Sequence, residues 1–249
     1  MTANARDLEL LAPQALLGWA IERFGRKFAV VTSFQDEGMA ILDMAVRISP
    51  AVRLITIDTG RLPRETHGQI DAVRRRYGVR VEVLQPDPEE IAAMTDRYGA
   101  DLMYQGHTER SLCCHLRKVR PLERALEGLD AWAVGLRRGQ SEARREVRKV
   151  EIDGGRWKLS PLADWTREQV LAYLGERNVP RHPLYEQGYA SIGCDPCTRA
   201  VAPGEPERSG RWWWETDSDK ECGLHAAGGG VMRRRLDVLL EEVFRATHA

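Results

Sequence analysis

A short apolar run, Phe28-Ala29-Val30-Val31-Thr32-Ser33, passes into a polar loop, Phe34-Gln35-Asp36-Glu37-Gly38, and then into apolar positions at helical spacing: Met39, Ile41, Leu42, Met44, Ala45 and Val46. The segment reads strand, loop, helix. The unit then recurs. Val52 to Ile57 ends in Asp58-Thr59-Gly60-Arg61-Leu62-Pro63, a helical pattern carries Ile70, Val73 and Tyr77, and another strand reading covers Val79 to Leu84. Strands that alternate with helices in this way pair in parallel, and the helices cover both faces of the sheet. The expected fold is α/β, an open, mostly parallel twisted sheet with helices on both sides.

The remaining segments extend this plan. A helix is expected over residues 13–25, after a proline suited to a helix start, with further helical pattern around 88–98 and 115–127. A strand follows at Ala131 to Gly135, then an arginine-rich loop from Leu136 to Arg145, then a hairpin across Asp153-Gly154-Gly155. Thr166 and Gln169 are spaced as a capping box for a helix reaching about Arg177. From Pro180 to Gly230 the chain is rich in proline, glycine and charge without a sustained period, so its order is expected from a metal site or from docking. Val231 to Phe244 returns to an amphipathic helix.

Composition narrows the partners. The 249 residues are 43% apolar, enough for a sizeable core, and 37 basic residues balance 37 acidic ones. A net charge of zero supplies no global field toward nucleic acid or a membrane surface, so any anion site must be local. No run approaches the ~20 apolar residues of a membrane span, and the first ten residues carry charges where a signal peptide needs an apolar stretch. The expectation is a cytoplasmic protein. An odd number of cysteines, five, then favours ligation or catalysis over disulfides.

Four of those cysteines form two doublets, Cys113-Cys114 and Cys194-Asp195-Pro196-Cys197. Thiols two residues apart share one side of a turn and can bind one metal or cluster, a zinc knuckle included. Adjacent thiols on a helix project about 100 degrees apart, which suits two different iron atoms of a four-iron cube better than one zinc ion. Cys222 stands alone in Glu221-Cys222-Gly223-Leu224-His225, among Asp217, Asp219 and Lys220. That setting is too polar and too glycine-rich for a core thiol, so Cys222 is a candidate nucleophile.

Three loops fall at the carboxyl ends of strands, where an open parallel sheet binds ligands: Ser33 to Gly38, Asp58 to Leu62, and Leu136 to Arg145. The first resembles the phosphate loop of ATP pyrophosphatases but lacks its paired glycines; Ser33 and the following helix start still suit one phosphate or sulfate. The arginine loop reads either as a solvated face or as a bidentate oxyanion site. Arg208 and Arg211 form a second basic pair before Trp212-Trp213-Trp214, which are costly to expose and are expected to pack the tail.

In combination these segments resemble the assimilatory adenylyl-sulfate (APS) and phosphoadenylyl-sulfate (PAPS) reductases, specifically the cluster-bearing branch. The likeness runs from about residue 28 to His225. It is carried by Asp58-Thr-Gly-Arg-Leu, Cys113-Cys114 with Arg117-Lys-Val-Arg-Pro-Leu, Gly135-Leu-Arg-Arg-Gly-Gln-Ser, Ser160-Pro-Leu-Ala-Asp-Trp, Cys194-Asp-Pro-Cys-Thr-Arg, Gly210-Arg-Trp-Trp-Trp-Glu and Lys220-Glu-Cys-Gly-Leu-His.

The resemblance implies an adenine nucleotide alpha hydrolase-like body over residues 1–205 and a tail over 206–249 that carries the nucleophile. It implies thiol-dependent reduction of APS to sulfite and AMP, through an S-sulfocysteine on Cys222 that thioredoxin or glutaredoxin resolves. One 4Fe-4S cluster per chain would be held by Cys113, Cys114, Cys194 and Cys197, shaping the site without redox cycling. Lys118 would lie near cluster and sulfate. Arg137 and Arg144 would neutralise the substrate anion, Arg208 and Arg211 would clamp it, and Ser33, Asp58 and Gly60 would line the nucleotide pocket. A PAPS or dual-specificity reductase, a sulfur-transfer enzyme acting on tRNA, and a noncatalytic metal-stapled nucleotide-binding protein are the competing readings. The relatives commonly stop soon after the Cys-Gly-Leu-His motif, so the last helix is an addition that either packs on the body or serves a contact between copies in a homo-oligomer.

Overall fold

Among the described residues, six strands form one sheet in the order β3 (Val81–Leu84), β2 (Arg53–Ile57), β1 (Phe28–Val31), β4 (Ala131–Ala133), β6 (Arg156–Leu159), β5 (Val150–Asp153), parallel throughout except for the edge strand β5. The computed structural model describes residues 5–215, 221 and 230–247. In chain order its elements are α1 (Ala5–Glu9), α2 (Pro13–Phe24), β1 (Phe28–Val31), α3 (Asp36–Ile48), β2 (Arg53–Ile57), α4 (Arg64–Tyr77), β3 (Val81–Leu84), α5 (Pro88–Tyr98), α6 (His107–Cys114), α7 (Arg120–Leu126), β4 (Ala131–Ala133), β5 (Val150–Asp153), β6 (Arg156–Leu159), α8 (Arg167–Glu176) and α9 (Gly230–Thr247). No helix among the described residues is long and apolar enough to cross a membrane.

The centre of the sheet is also its most apolar part. In β1, Val30 pairs with Leu54 of β2 and Ala133 of β4, and all three are buried. Helix α3 packs on β1 and against the helices α2 and α8, and eleven of its thirteen residues are buried. Each large aliphatic side chain removed from water there contributes about 1.5–3 kcal/mol. The two-residue turn between β5 and β6 is Gly154-Gly155, at φ 56° and 79°. Both are left-handed, the geometry that a tight hairpin requires and that glycine adopts without strain.

The helix expected over 115–127 begins earlier, at His107, and is interrupted by a π-helical turn, His115–Val119, between α6 and α7. Pro121 accounts for the wide turn. It donates no N–H, and its ring crowds the carbonyl four residues back, at Arg117, so the ladder relaxes to longer spacing. The first turn of this segment lacked an apolar period because His107, Thr108 and Glu109 are polar.

Helix α9 packs on the body. Leu236, Leu239, Leu240, Val243 and Phe244 meet Met94 of α5 and Leu112, Cys113 and Leu116 of the α6 segment. Glu242 accepts from Tyr98 and Arg97 at 2.5 and 2.8 Å, and the Arg120 guanidinium lies 4.6 Å from the Phe244 ring centroid.

Candidate active site

A cavity opens at the carboxyl ends of β1, β2 and β4, lined from those strands by Ser33, Thr59 and Gly135 among others. The chain leaving β1 turns sharply at Phe34, which is buried at φ 58° while its N–H donates to Thr32 Oγ1 at 2.9 Å. Helix α3 can therefore start directly beneath the cavity. Gly135 makes the same junction possible from the β4 side: a Cβ there would lie 2.9 Å from the Gly38 nitrogen and 3.0 Å from the Glu37 Cβ. Gln35, at the start of α3, accepts from the Ile192 N–H at 2.7 Å and so ties the first loop to the segment that enters Cys194.

Of the residues expected from the sequence, Ser33, Lys118, Arg144, Arg208, Arg211 and Cys194 line this cavity. Asp58, Gly60 and Arg137 are not among the lining residues. The Asp58 carboxylate is used locally, accepting from the Gly60 N–H at 2.9 Å and contacting His67 at 3.0 Å. Gly60, at φ 71°, closes that turn against Arg117, whose Nη1 donates to the Thr59 carbonyl at 2.8 Å. Arg137 is 2% exposed and is held between Glu37 at 3.0 Å and Glu207 at 2.9 Å. Burial and the nearby Glu37 push the Glu207 carboxyl up, against the opposing pull of Arg137 and Arg167.

The four clustered cysteines are buried as free thiols. Cys114, Cys194 and Cys197 share an apolar cluster with Met103 and Trp212, while Cys113 faces the cluster that receives α9. The chain around Cys194 is fixed by an Asp195 N–H to Arg61 carbonyl bond of 2.8 Å, and Thr59 Oγ1 lies 3.2 Å from Cys194 Sγ. Burial raises Cys194, but Lys118, Thr59 and Arg211 together outweigh it and hold the thiol below its ordinary value. Cys197 has weaker compensation, so burial, with Cys194 beside it, pushes it up to about 11. Burial also raises Cys113, against the pull of Arg117.

Among the described residues, no group of three or more His, Cys, Asp or Glu side chains closes to the span of a single metal ion. The donor set is nevertheless all thiol, soft and free of imidazole and carboxylate, which suits an iron-sulfur group. The indole N–H groups of Trp212 and Trp214, packed against these thiols, have no hydrogen-bond partner among the described residues. Unused donors beside thiolates are what the sulfurs of a cluster accept from.

The tail closes over the same region. Its first part is zipped to the cysteine segment by an antiparallel bridge between Thr198 and Arg211 and by the Trp212 N–H to Cys197 carbonyl bond of 3.2 Å. Trp212 is fully buried at φ 42°, rare for an aromatic residue, with the guanidinium groups of Arg110 and Arg211 at 4.3 and 4.6 Å from its ring centroid. The expectation that the tryptophans pack the tail holds for Trp212, whereas Trp213 is 40% exposed.

Glu221 is buried against two arginines of the cavity wall, Arg144 and Arg208. Its carboxylate accepts from Arg144 at 2.8 and 2.7 Å, from Arg208 at 3.4 Å and from Ser141 at 3.3 Å. Cys222 itself lies outside the described residues. Sequence reasoning missed Glu221, Arg110, Gln35 and Thr59 as contributors. Glu221 had a signal, since it abuts the candidate nucleophile, whereas Arg110 sits on a polar helical turn without a distinguishing pattern.

Comparison with known proteins agrees with this geometry. Residues 27–200 match the phosphoadenosine phosphosulfate reductase domain family. The chain is 48% identical over 179 residues to an adenosine 5'-phosphosulfate reductase of Agrobacterium fabrum, covering 71% of this chain and 69% of that one. It is 44% identical over 231 residues to the protein of the same name from Burkholderia cepacia, covering 90% and 92%. Among solved structures, a phosphoadenylyl-sulfate reductase from Candida auris in a phosphate complex superposes with a TM-score of 0.65 at 30% identity, covering 79% of this chain and 94% of that one. The cavity at the strand ends, the cations around it and these matches together place the chain in the phosphoadenosine phosphosulfate reductase family.

Proposed function

We propose that this chain reduces APS to sulfite and AMP, with electrons from thioredoxin or glutaredoxin, as a cytoplasmic step of sulfate assimilation. The relatives' names point to APS. The observation that carries the reading is the docking of Glu221 on Arg144: it brings the residue adjacent to Cys222 to a cavity that Lys118, Arg208 and Arg211 also line. Ser33 and the α3 start receive the nucleotide phosphate, and the basic side chains receive the sulfate. Asp58, Gly60 and Arg137 act one layer out, holding the loops rather than the ligand.

The Cys222 thiolate attacks the sulfur of APS, a sulfur–sulfur bond forms as the bond from sulfur to the phosphate oxygen breaks, and AMP leaves. A donor thiolate then attacks the Cys222 sulfur, sulfite leaves with its electron pair, and a mixed disulfide remains. The donor's second thiol resolves it, regenerating Cys222. Two thiols are oxidised to one disulfide, and the two electrons reduce sulfate sulfur to sulfite.

Cys113, Cys114, Cys194 and Cys197 fit as ligands of a 4Fe-4S cluster, which supplies a dense local charge beside the sulfate subsite when bound. Lys118, which acts on Cys194 and also lines the cavity, would offset charge from both the cluster and the sulfate. In this reading residues 1–205 bind the nucleotide and 206–249 carry the nucleophile.

Intact-mass measurement tests the proposal. Wild-type protein given APS without reductant gains one sulfite-derived group on Cys222, and Cys222→Ser gains none and does not turn over. An adduct on another cysteine, or turnover by Cys222→Ser, excludes the mechanism. PAPS in the same assay measures the preference, and iron and sulfide analysis of anaerobically purified protein tests the cluster.

A further inference from the structure

Arg110 is 1% exposed and lies on α6, one helical turn before Cys113 and Cys114. Its Nε pairs with Glu215 at 2.5 Å, its Nη1 donates to the main-chain carbonyl of Glu221 at 3.1 Å, and its guanidinium stacks on Trp212 at 4.3 Å. All three contacts are with the tail. A guanidinium loses several kcal/mol of hydration on burial, so it is tolerated only where its fork is used. Here Nε and Nη1 hold the chain at residues 215 and 221 and the guanidinium face packs on Trp212, while Nη2 is buried with no hydrogen-bond partner among the described residues.

Cys222 is the next residue in the sequence. We infer that Arg110 is a positioning residue for the proposed nucleophile: it holds the main chain at residue 221, the neighbour of Cys222 in sequence, without itself touching substrate. The inference rests on the reading of Cys222 as nucleophile. It differs from the grip of Arg144 on the Glu221 carboxylate. A substrate oxyanion can exchange with a carboxylate on Arg144, but it does not replace a carbonyl oxygen built into the tail. The anchor therefore persists when the anion site is filled. Because Arg110 shares a helix with two of the thiols, it references the tail to the cysteine site.

The test compares full-length, cluster-loaded Arg110→Met, Arg110→Lys and Glu215→Gln with wild type, under saturating thioredoxin. Misplacing a nucleophile by about 1 Å costs on the order of 100-fold. Arg110→Met is expected to lower kcat ~10- to 100-fold with KM for APS within ~3-fold, Glu215→Gln to lower it ~3- to 10-fold, and Arg110→Lys to recover part of the loss. Alkylation of Cys222 by iodoacetamide, followed by peptide mass, should be several-fold faster in Arg110→Met, with visible absorbance unchanged. Wild-type kcat in both Arg110→Met and Glu215→Gln, a loss confined to KM, or a loss that tracks bleaching of the cluster overturns the inference. If Arg110→Met does not fold, Glu215→Gln decides. If wild type does not reduce APS, or Cys222→Ser does, the nucleophile reading fails instead, and the alkylation rate still reports whether Arg110 anchors the tail.

Discussion

Both carboxylate oxygens of Glu221 are held by the guanidinium of Arg144, Oε1 at 2.8 Å from Nε and Oε2 at 2.7 Å from Nη2, with Arg208 Nη2 at 3.4 Å. The pair is buried, and the single Glu221 carboxylate offsets one of the two guanidinium charges. An incoming oxyanion competes with that carboxylate. Glu221→Gln removes one buried negative charge, worth on the order of 1 kcal/mol to a bound anion, about fivefold in affinity. In the unreactive Cys222→Ser background, APS should bind about fivefold more tightly when Glu221 is also changed to Gln, by calorimetry. Equal or weaker binding would show that the carboxylate does not occupy the ligand's anion site.

Asp43 sits on the face of α3 away from the site, and its side chain is fully buried. It accepts from Arg47 at 2.8 Å, Tyr77 at 2.8 Å and Tyr173 at 2.7 Å, joining α3 to α4 and α8. Burial raises its pKa, but the bonds from Arg47, Tyr173 and Tyr77 outweigh that and hold it below the ordinary carboxylate value. Its contribution is therefore present at neutral pH and is lost as pH falls through that lowered value. Asp43→Ala leaves two tyrosine hydroxyls without their acceptor and should cost about 3–5 kcal/mol in urea unfolding. A change under about 1 kcal/mol would mean that water replaces the carboxylate.

His182 is 1% exposed, and burial lowers its pKa to about 4 from an ordinary 6.5. Its Nδ1 accepts from the Leu184 N–H at 3.3 Å, which assigns the proton to Nε2 and makes it the donor to Thr66 Oγ1 at 2.9 Å. The unfolded chain takes up a proton below about pH 6.5 that the native state takes up only near pH 4. Stability should fall as pH drops through that window, by up to roughly 3 kcal/mol over its full width. The urea midpoint measured from about pH 8 to about pH 5 should decline in wild type and decline less in His182→Gln. Parallel curves would assign the loss to other groups.

The sheet and its order of elements were readable because β1, β2 and their helices are buried where their apolar spacing says, and the Thr166–Gln169 capping box forms at 2.7 and 3.2 Å. The cysteine doublets were readable as chemistry because thiols at those spacings have few other uses. Arginines were harder. Arg137 and Arg144 look alike in sequence, but Arg137 is spent between Glu37 and Glu207, which lie 100 residues before it and 70 residues after it. Only the fold decides which guanidinium faces the cavity, and the same holds for Arg110.

Helix α9 covers the outer side of α6, the helix that carries Cys113 and Cys114. Ending the chain at residue 229 exposes Met94, Leu112 and Leu116, each buried in the full chain, and removes the Glu242 bonds to Arg97 and Tyr98. The truncated protein is expected to unfold at lower urea and, when loaded with the proposed cluster, to lose iron to a chelator several-fold faster than full-length protein. Unchanged iron release would show that α9 stabilises the body without supporting the cysteine helix.

The turn forced by Pro121 carries a lesson for engineering. Replacing that proline by alanine would be chosen by any helix-propensity scale, and it would let α6 and α7 fuse into a regular helix. Losing the extra residue of the wide turn rotates α6 by about 100 degrees relative to α7, turning the cysteine pair away from Lys118. Tolerance to heat could then improve while the catalyst is dismantled, so a screen that rewards thermostability alone would select against this site.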